Sequence, residues 1–540
     1  MTRKARGLTI GAIMAALLVM AMAPGLVGLG LQHGRVFTGA VRDGRIAAIE
    51  RAGIRQALEG HILFRAPFRP EVMPREIFVP HLALTGLLGA VFGEGPGRSI
   101  LYFRALAVAG LLLATYAFVS LVLHETSERV SALLAVLVSS GVGWVARLQG
   151  DAMALEAPAD TTVLMMALGV GRWTSGVALL LVYFVALLEG FRLGRWRFAV
   201  GAGVAGLSAA LTSPDLLWLL VTAPSVYALM MWWTDREFPR RIVGLTMLAL
   251  LVASPAFTYL WTIGRTNPFT ASQVFQEAAG HVNVRSVLMA FGLPLALSLA
   301  AMYEALWRRE RLVIFPIAWM VAGFALVLLP GAAKAGVLKS LWVPVGILSG
   351  YGALRVFRNT ILRRRAFAHA SPALPMAVYL AVVFPTNASL YGRCIWENVV
   401  YGDPSQGWYY VTSQFEEGAE WLDRELRHDD VVLCAADSGE GLPGWSNARV
   451  FVGPQLPGVH WKERAQEAEW FYQSAADALP EDLVQRFTFL ARQRITYVYL
   501  GPRERRLGGV PTVPWLQEVF RNDEVQIYRV VPEAFSSVSQ

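Results

Sequence analysis

Apolar and polar positions divide this chain into two parts. Up to residue 389, long apolar runs alternate with short polar stretches; beyond it, the apolar runs shrink to strand length. A run of about 20 apolar residues crosses the roughly 30 Å hydrocarbon layer as a helix. The first such run, LTIGAIMAALLVMAMAPGLVGLGL (8 to 31), follows Arg3, Lys4 and Arg6. It is long enough to span and no clear small-residue cleavage site follows, which predicts an uncleaved first helix with its N-terminus in the cytoplasm. Ten further spans are expected at 101–123, 130–148, 173–191, 198–213, 215–233, 242–264, 285–305, 312–330, 338–356 and 371–389, about eleven in all.

Arginines punctuate alternate connections. Arg192, Arg195 and Arg197 form one cluster, Arg236, Arg240 and Arg241 a second, Arg308, Arg309 and Arg311 a third, and Arg358 with Arg363 to Arg365 a fourth. Basic loops stay in the cytoplasm, so the intervening segments lie outside. The 16-residue run FVPHLALTGLLGAVFG (78–93) is short for a crossing and would break this alternation, so it reads as a partly inserted helix. Residues 32–77 then form a first external loop, 149–172 a second, and everything after 389 is external.

The first external loop opens with VRDGRIAAIERAGIRQALEGH (41–61), too charged for hydrocarbon. As a helix from Gly44 to Leu58 it gathers Ile46, Ile49, Ile54 and Leu58 on one side. Arg45, Arg51, Arg55 and Glu59 fall largely on the other, the pattern of a helix lying in the membrane interface. Asp43 stands immediately before it, placed to cap its exposed N–H groups.

Residues 390–540 read as an α/β domain with its own core. Strands are expected at VVLCA (431–435), RVFVG (449–453), ITYVYLG (495–501) and VQIYRV (525–530), and helices at 412–427 and 480–494. ADSGEGLPGWSN (436–447) follows a strand and reads equally as a ligand-binding loop or as an ordinary turn-rich connection, with no specific role assigned to it. Cys394 and Cys434 read as two unpaired thiols, the alternative being a disulfide that an external location permits.

Composition agrees with the membrane reading. Hydrophobic residues make up 55% of the chain and charged residues 16%, against about 25% charged in soluble domains. The net charge of +8 sits in loops between apolar runs, so the bilayer is the expected partner and nucleic acid is not. The sequence contains no phosphate-binding P-loop, no GxGxxG at a strand-to-helix turn and no GxSxG. His33, His61 and His81 lack partners at metal-ligand spacing.

An uncleaved first helix, an external loop opening on an acid, the helix IRQALEGHILFRAPF and the Pro-led Phe78-Val-Pro-His81 together resemble the start of polytopic bacterial C-type (GT-C) glycosyltransferases of the mannosyl- and arabinosyltransferase kind. The similarity continues through Arg104, the second acidic segment LQGDAMALEAPAD (148–160), LTSPDLLW (211–218) and YVYLGPRER (497–505). The resemblance implies a helical, GT-C-like polytopic membrane domain (1–389) followed by an extracytoplasmic α/β domain (390–540). It also implies inverting sugar transfer from a polyprenyl-phosphate-linked donor to a glycan, lipid or protein acceptor outside the cytoplasmic membrane. Such transfer requires a base for the acceptor hydroxyl and cations, or a divalent ion such as Mg2+ or Mn2+, for the departing phosphate.

Carried over residue by residue, the resemblance implies Asp43 as base, and Asp151, Glu156 and Asp160 as acceptor-orienting or metal-binding groups. Arg65, Arg147, Arg265, Lys334 and Lys339 are the cations expected at the lipid phosphate. Similar proteins often carry two adjacent acids in the first loop, whereas Asp43 stands between Arg42 and Gly44. The aromatic stretch WENVVYGDPSQGWYY (396–410) suits either an interfacial belt or stacking on sugar rings. Two other readings are an envelope scaffold of the same fold without activity, and a transporter of lipid-linked saccharide. Transporters place ionisable groups at mid-membrane and show repeated halves; here the acids concentrate in external loops.

Overall fold

The computed structural model describes residues 3–32, 34–141, 143–148, 162–169, 171–266, 284–329, 335–356, 374–404, 407–427, 429–455, 460–473 and 479–534. Among them nine helices are long and apolar enough to cross a membrane: Thr9–Gly30, Pro96–Val122, Gly171–Leu193, Pro214–Asp235, Arg240–Thr266, Ala290–Arg308, Arg311–Leu328, Gly336–Arg355 and Leu374–Val400. The chain is a multi-pass membrane protein. The two other expected spans take shorter forms. Segment 130–148 is broken where Ser139 becomes extended, leaving helices Thr126–Val138 and Gly143–Leu148, and segment 198–213 is the 17-residue helix Trp196–Thr212. The doubtful run at 78–93 is the helix Pro80–Phe92, whose 13 residues rise about 20 Å, too little for a full crossing.

The chain forms two compact units. The first contains Met1–Pro24, Arg104–Gly264 and Val274–Trp396. Its helices pack through glycine. A Cβ on Gly346 would lie 2.6 Å from the Val136 Cα, and one on Gly350 would lie 2.6 Å from the Ser131 carbonyl oxygen. The GxxxG spacing on helix Trp342–Val356 therefore lets it lie backbone to backbone against Thr126–Val138, where close packing replaces the hydrophobic drive that lipid cannot supply. Charges collect at the helix ends. Arg355 pairs with Glu128 at 2.8 Å, and the Tyr351 hydroxyl donates to Glu310 at 3.2 Å, beside the Arg308–Arg311 cluster.

The second unit is built chiefly from Gly25–Phe103 and Glu397–Gln540. Strand β1 (Arg35–Phe37) pairs antiparallel with β2 (Tyr410–Thr412), with Val36 opposite Val411. A five-stranded sheet follows from β3 (Val431–Leu433), β4 (Arg449–Val450), β5 (Tyr497–Leu500), β6 (Leu516–Arg521) and β7 (Gln526–Val530), in the order β4-β3-β5-β7-β6. Strand β3 is parallel to β4 and β5; β7 is antiparallel to β5 and β6.

Strand alternation sends side chains to both faces. Val431, Leu433 and Val498 join Phe471, Phe489 and Leu490 of helices Trp461–Tyr472 and Pro480–Arg492 in one core. On the opposite face Tyr497 and Tyr499 meet Trp421 and Phe415 of helix Ser413–Glu425. The result is the expected α/β domain, with β6 and helix Trp461–Tyr472 added to the elements read from sequence. Cys394 and Cys434 are both free and buried.

Close helix packing makes a direct stability test. Gly350→Val is expected to destabilise the chain by about 1–3 kcal/mol, as overpacking does. Gly244→Ala, whose Cβ meets nothing within 4 Å, should leave the thermal midpoint in detergent unchanged or raised. Equal midpoints for the two variants would contradict the glycine contact.

Candidate functional site

Residues 44–58 form a helix, as the amphipathic pattern predicts, but its polar side is tied to the rest of its unit. Arg51 is fully buried, donates to the Thr38 carbonyl at 3.2 Å and lies 5.2 Å from the Trp445 ring; burial pushes its pKa down to about 9. Arg45 pairs with the buried Glu440, and Arg55 with Asp423. The helix is therefore held by the C-terminal part of its own unit rather than floating in an interface.

Asp43 does not cap this helix. Its side chain makes no capping hydrogen bond, and its backbone is left-handed, with φ 53° and ψ 44°. That conformation is disfavoured for most L-residues and tolerated by aspartate, and strain of this sort gathers at functional positions. The backbone carbonyl accepts from the Ala47 N–H at 2.9 Å, while the carboxylate lies 3.8 Å from the Arg42 Nε. Gly44 is needed beside it, because a Cβ there would meet the Trp408 Cβ at 2.7 Å. The carboxylate, 27% exposed, is thus not committed to the helix it precedes.

A second polar centre lies in the membrane unit, where Lys339 is only 7% exposed. Its ammonium sits 4.2 Å from the Trp173 ring centroid, and the Arg172 guanidinium lies 4.9 Å from the same ring. Both cations act on the buried Asp215 carboxylate, which accepts from the Gly336 N–H at 3.3 Å. A Cβ on Gly336 would lie 2.7 Å from Trp173 and 2.8 Å from the Asp215 Cβ, so glycine permits this approach. Lys339 and Arg355 are separated by about 24 Å of helix at 1.5 Å per residue, so this centre lies at the end opposite the Arg308–Arg311 cluster. Asp215 belongs to LTSPDLLW, yet it, Arg172 and Trp173 were not singled out in sequence. The available signal was an ionisable residue inside an apolar run, functional by default in a membrane.

The remaining expected residues are dispersed. Arg65 is tied through its backbone to Gln56, about 20 Å along the helix from Asp43, and it stands near Arg75 and Arg449. Burial, then those two arginines, push its pKa down. Arg265 is exposed at the end of Arg240–Thr266, and Arg147 lies in Gly143–Leu148. Asp151, Glu156, Asp160, Lys334 and His33 lie outside the described residues. Among the described residues no three His, Cys, Asp or Glu side chains gather as a metal site would require.

Comparison with solved structures identifies the architecture. The chain aligns with ArnT from Cupriavidus metallidurans bound to undecaprenyl phosphate at a TM-score of 0.54 and 16% identity, over 98% of this chain and 99% of that one. The fold is of the GT-C type. The Archaeoglobus fulgidus oligosaccharyltransferase tethered to an acceptor peptide aligns at a TM-score of 0.56 and 13% identity, over 90% of this chain and 69% of that one. The mycobacterial arabinofuranosyltransferase AftD aligns at 0.55 and 16% identity, over 95% of this chain and 41% of its own length. No protein-family profile and no curated relative matches the chain.

The centre in this GT-C membrane unit is open to a double-mutant cycle. Lys339→Met is expected to lower the unfolding midpoint by removing one counter-charge from buried Asp215. Adding Asp215→Asn should recover part of the loss, with a coupling of about 0.5–3 kcal/mol. Strictly additive effects would show that the two side chains do not interact.

Proposed function

We propose that this chain is a membrane glycosyltransferase that moves a sugar from a polyprenyl-phosphate-linked donor to an acceptor of the cell envelope, a glycan, lipid or protein. It acts on the outer side of the cytoplasmic membrane. The observation that carries this reading is the Asp43 carboxylate, held in a left-handed turn and not spent on capping its helix. The shared fold supports it, since ArnT of that fold was determined with undecaprenyl phosphate.

In the proposed reaction the acceptor oxygen attacks the anomeric carbon and inverts it. The hydroxyl proton passes to the Asp43 carboxylate, and the bond from carbon to phosphate oxygen breaks, its electron pair leaving with the lipid phosphate. Proton removal within hydrogen-bond reach is what a positioned carboxylate supplies. The phosphate role of Lys339 rests on the sequence resemblance; cations fixed in a low-dielectric setting stabilise developing negative charge far better than cations in water. The same phosphate role for Arg65, Arg147, Arg265 and Lys334, and acceptor or metal contacts by Asp151, Glu156 and Asp160, belong to this proposal.

The test is transfer by purified full-length protein in nanodiscs, offered a panel of radiolabelled polyprenyl-phosphate sugars with and without Mg2+ or Mn2+. Asp43→Asn should lower the rate by about 10²–10⁴-fold, the usual contribution of a general base, with the unfolding midpoint little changed. Transfer that survives this substitution would remove Asp43 as base. A folded protein that transfers from no donor in the panel would favour the scaffold reading.

A further inference from the structure

Strand β3 lies between two parallel neighbours, and the chain leaves it toward β4 on one side. The chain leaves β5 in the opposite sense, toward β6 and β7. Where outgoing connections diverge in this way, a crevice opens outside the carboxyl ends of the two strands, the position that ligands take in open α/β sheets. A cleft occupies that position here. It is lined by Asp437 and Ser438 from the segment after β3, by Tyr499 and Arg503 from β5 and the turn beyond it, and by Trp408 and Phe415 on either side of β2.

One buried carboxylate locks the two loops together. Glu504 has no exposed surface, and it accepts from the Ala435 N–H at 2.8 Å and the Gly501 N–H at 3.0 Å. These donors stand just beyond β3 and just beyond β5. The Ser438 hydroxyl bonds to the same carboxylate. The lining side chains therefore project from a frame set before any ligand arrives, which reduces the ordering cost of binding.

The lining also selects a ligand chemistry. The Arg503 Nη1 and the Asp437 Oδ2 approach to 2.5 Å, with the Asp437 side chain 64% exposed. A guanidinium fork next to a carboxylate offers donors and acceptors side by side, the complement of neighbouring hydroxyls that each donate and accept. The rings of Trp408 and Phe415 add apolar surface with a negative face, suited to C–H groups. An anion is disfavoured because Asp437 and Glu524 outnumber Arg503 in the lining. A wholly apolar ligand would strip water from the ion pair without replacing its hydrogen bonds.

We propose that this cleft is a binding site for a neutral saccharide. Identifying that saccharide as part of the acceptor glycan rests on the transferase reading; the binding itself does not. The side chains of Asp437 and Arg503 hold its hydroxyls, Trp408 and Phe415 cover its C–H face, and Glu504 acts as a positioning residue.

Saturation-transfer NMR on the full chain in nanodiscs tests the proposal without requiring catalysis. The probes are mannose, galactose, glucose, arabinose and N-acetylglucosamine with their short oligomers, and mannose 6-phosphate as the charged control. At least one neutral probe should show saturation of its ring C–H protons. Asp437→Asn and Arg503→Met should each weaken that binding tenfold or more, while Glu533→Gln, at the far end of the chain, leaves it unchanged. Circular dichroism should show both cleft variants folded. Absence of any neutral binder, binding indifferent to both substitutions, or preference for the phosphorylated sugar would each overturn it. Loss of sugar transfer in other experiments would leave this result untouched, so failure of one reading is distinguishable from failure of the other.

Discussion

Backbone pairing between Arg35–Phe37 and Tyr410–Thr412 joins parts of the chain some 370 residues apart, and much else in this molecule depends on it. Peptide groups near a bilayer must find partners, because hydrocarbon offers none. The short β1–β2 ladder satisfies them, and Thr38 extends it by donating its hydroxyl to the Trp408 carbonyl at 2.7 Å. The helix that follows is then fixed by Arg45 on Glu440, Arg55 on Asp423 and Arg51 against Trp445. Pairs with a buried member cost much to desolvate and contribute little net stability against an apolar substitute, but removing one partner is severe. Their effect is to specify one register between helix and domain, and with it the position of Asp43.

This pairing also unites distant parts of the chain, since Gly25–Phe103 and Glu397–Gln540 belong to one compact unit. Within the membrane unit, glycine contacts bring helices together and charged clusters mark opposite ends of helix Gly336–Arg355, Lys339 with Asp215 at one and Arg355 with Glu128 at the other.

Much of this was legible in sequence because the bilayer imposes a simple code of length and polarity. Helix Gly44–Leu58 has the limits its pattern predicts, and the strands at 431, 449, 497 and 526 fall inside apolar runs. The break inside 130–148 was hidden because Ser139, Ser140 and Gly141 barely lower the hydropathy of that run. Strand β6 was missed because Gln517 and Glu518 face solvent on a sheet edge. The partners of Arg45 and Arg55, and the Trp445 ring beside Arg51, lie hundreds of residues away, so a tethered polar face looked like a free one. For the same reason a capping role for Asp43 was plausible from spacing alone, whereas the left-handed backbone that defeats it is a property of the folded turn. Asp215 was obscured by the apolar run around it.

The claim that the first polar segment is built into the C-terminal domain is best tested by cross-linking across the ladder. Paired residues on antiparallel strands place their Cα atoms about 4.5–5.5 Å apart, within disulfide range. Val36→Cys with Val411→Cys, oxidised in the membrane and mapped by mass spectrometry, should give a peptide pair linked through residues 36 and 411. If both thiols remain free under oxidation, in a protein that is otherwise folded, the ladder does not form and the placement of Asp43 loses its foundation.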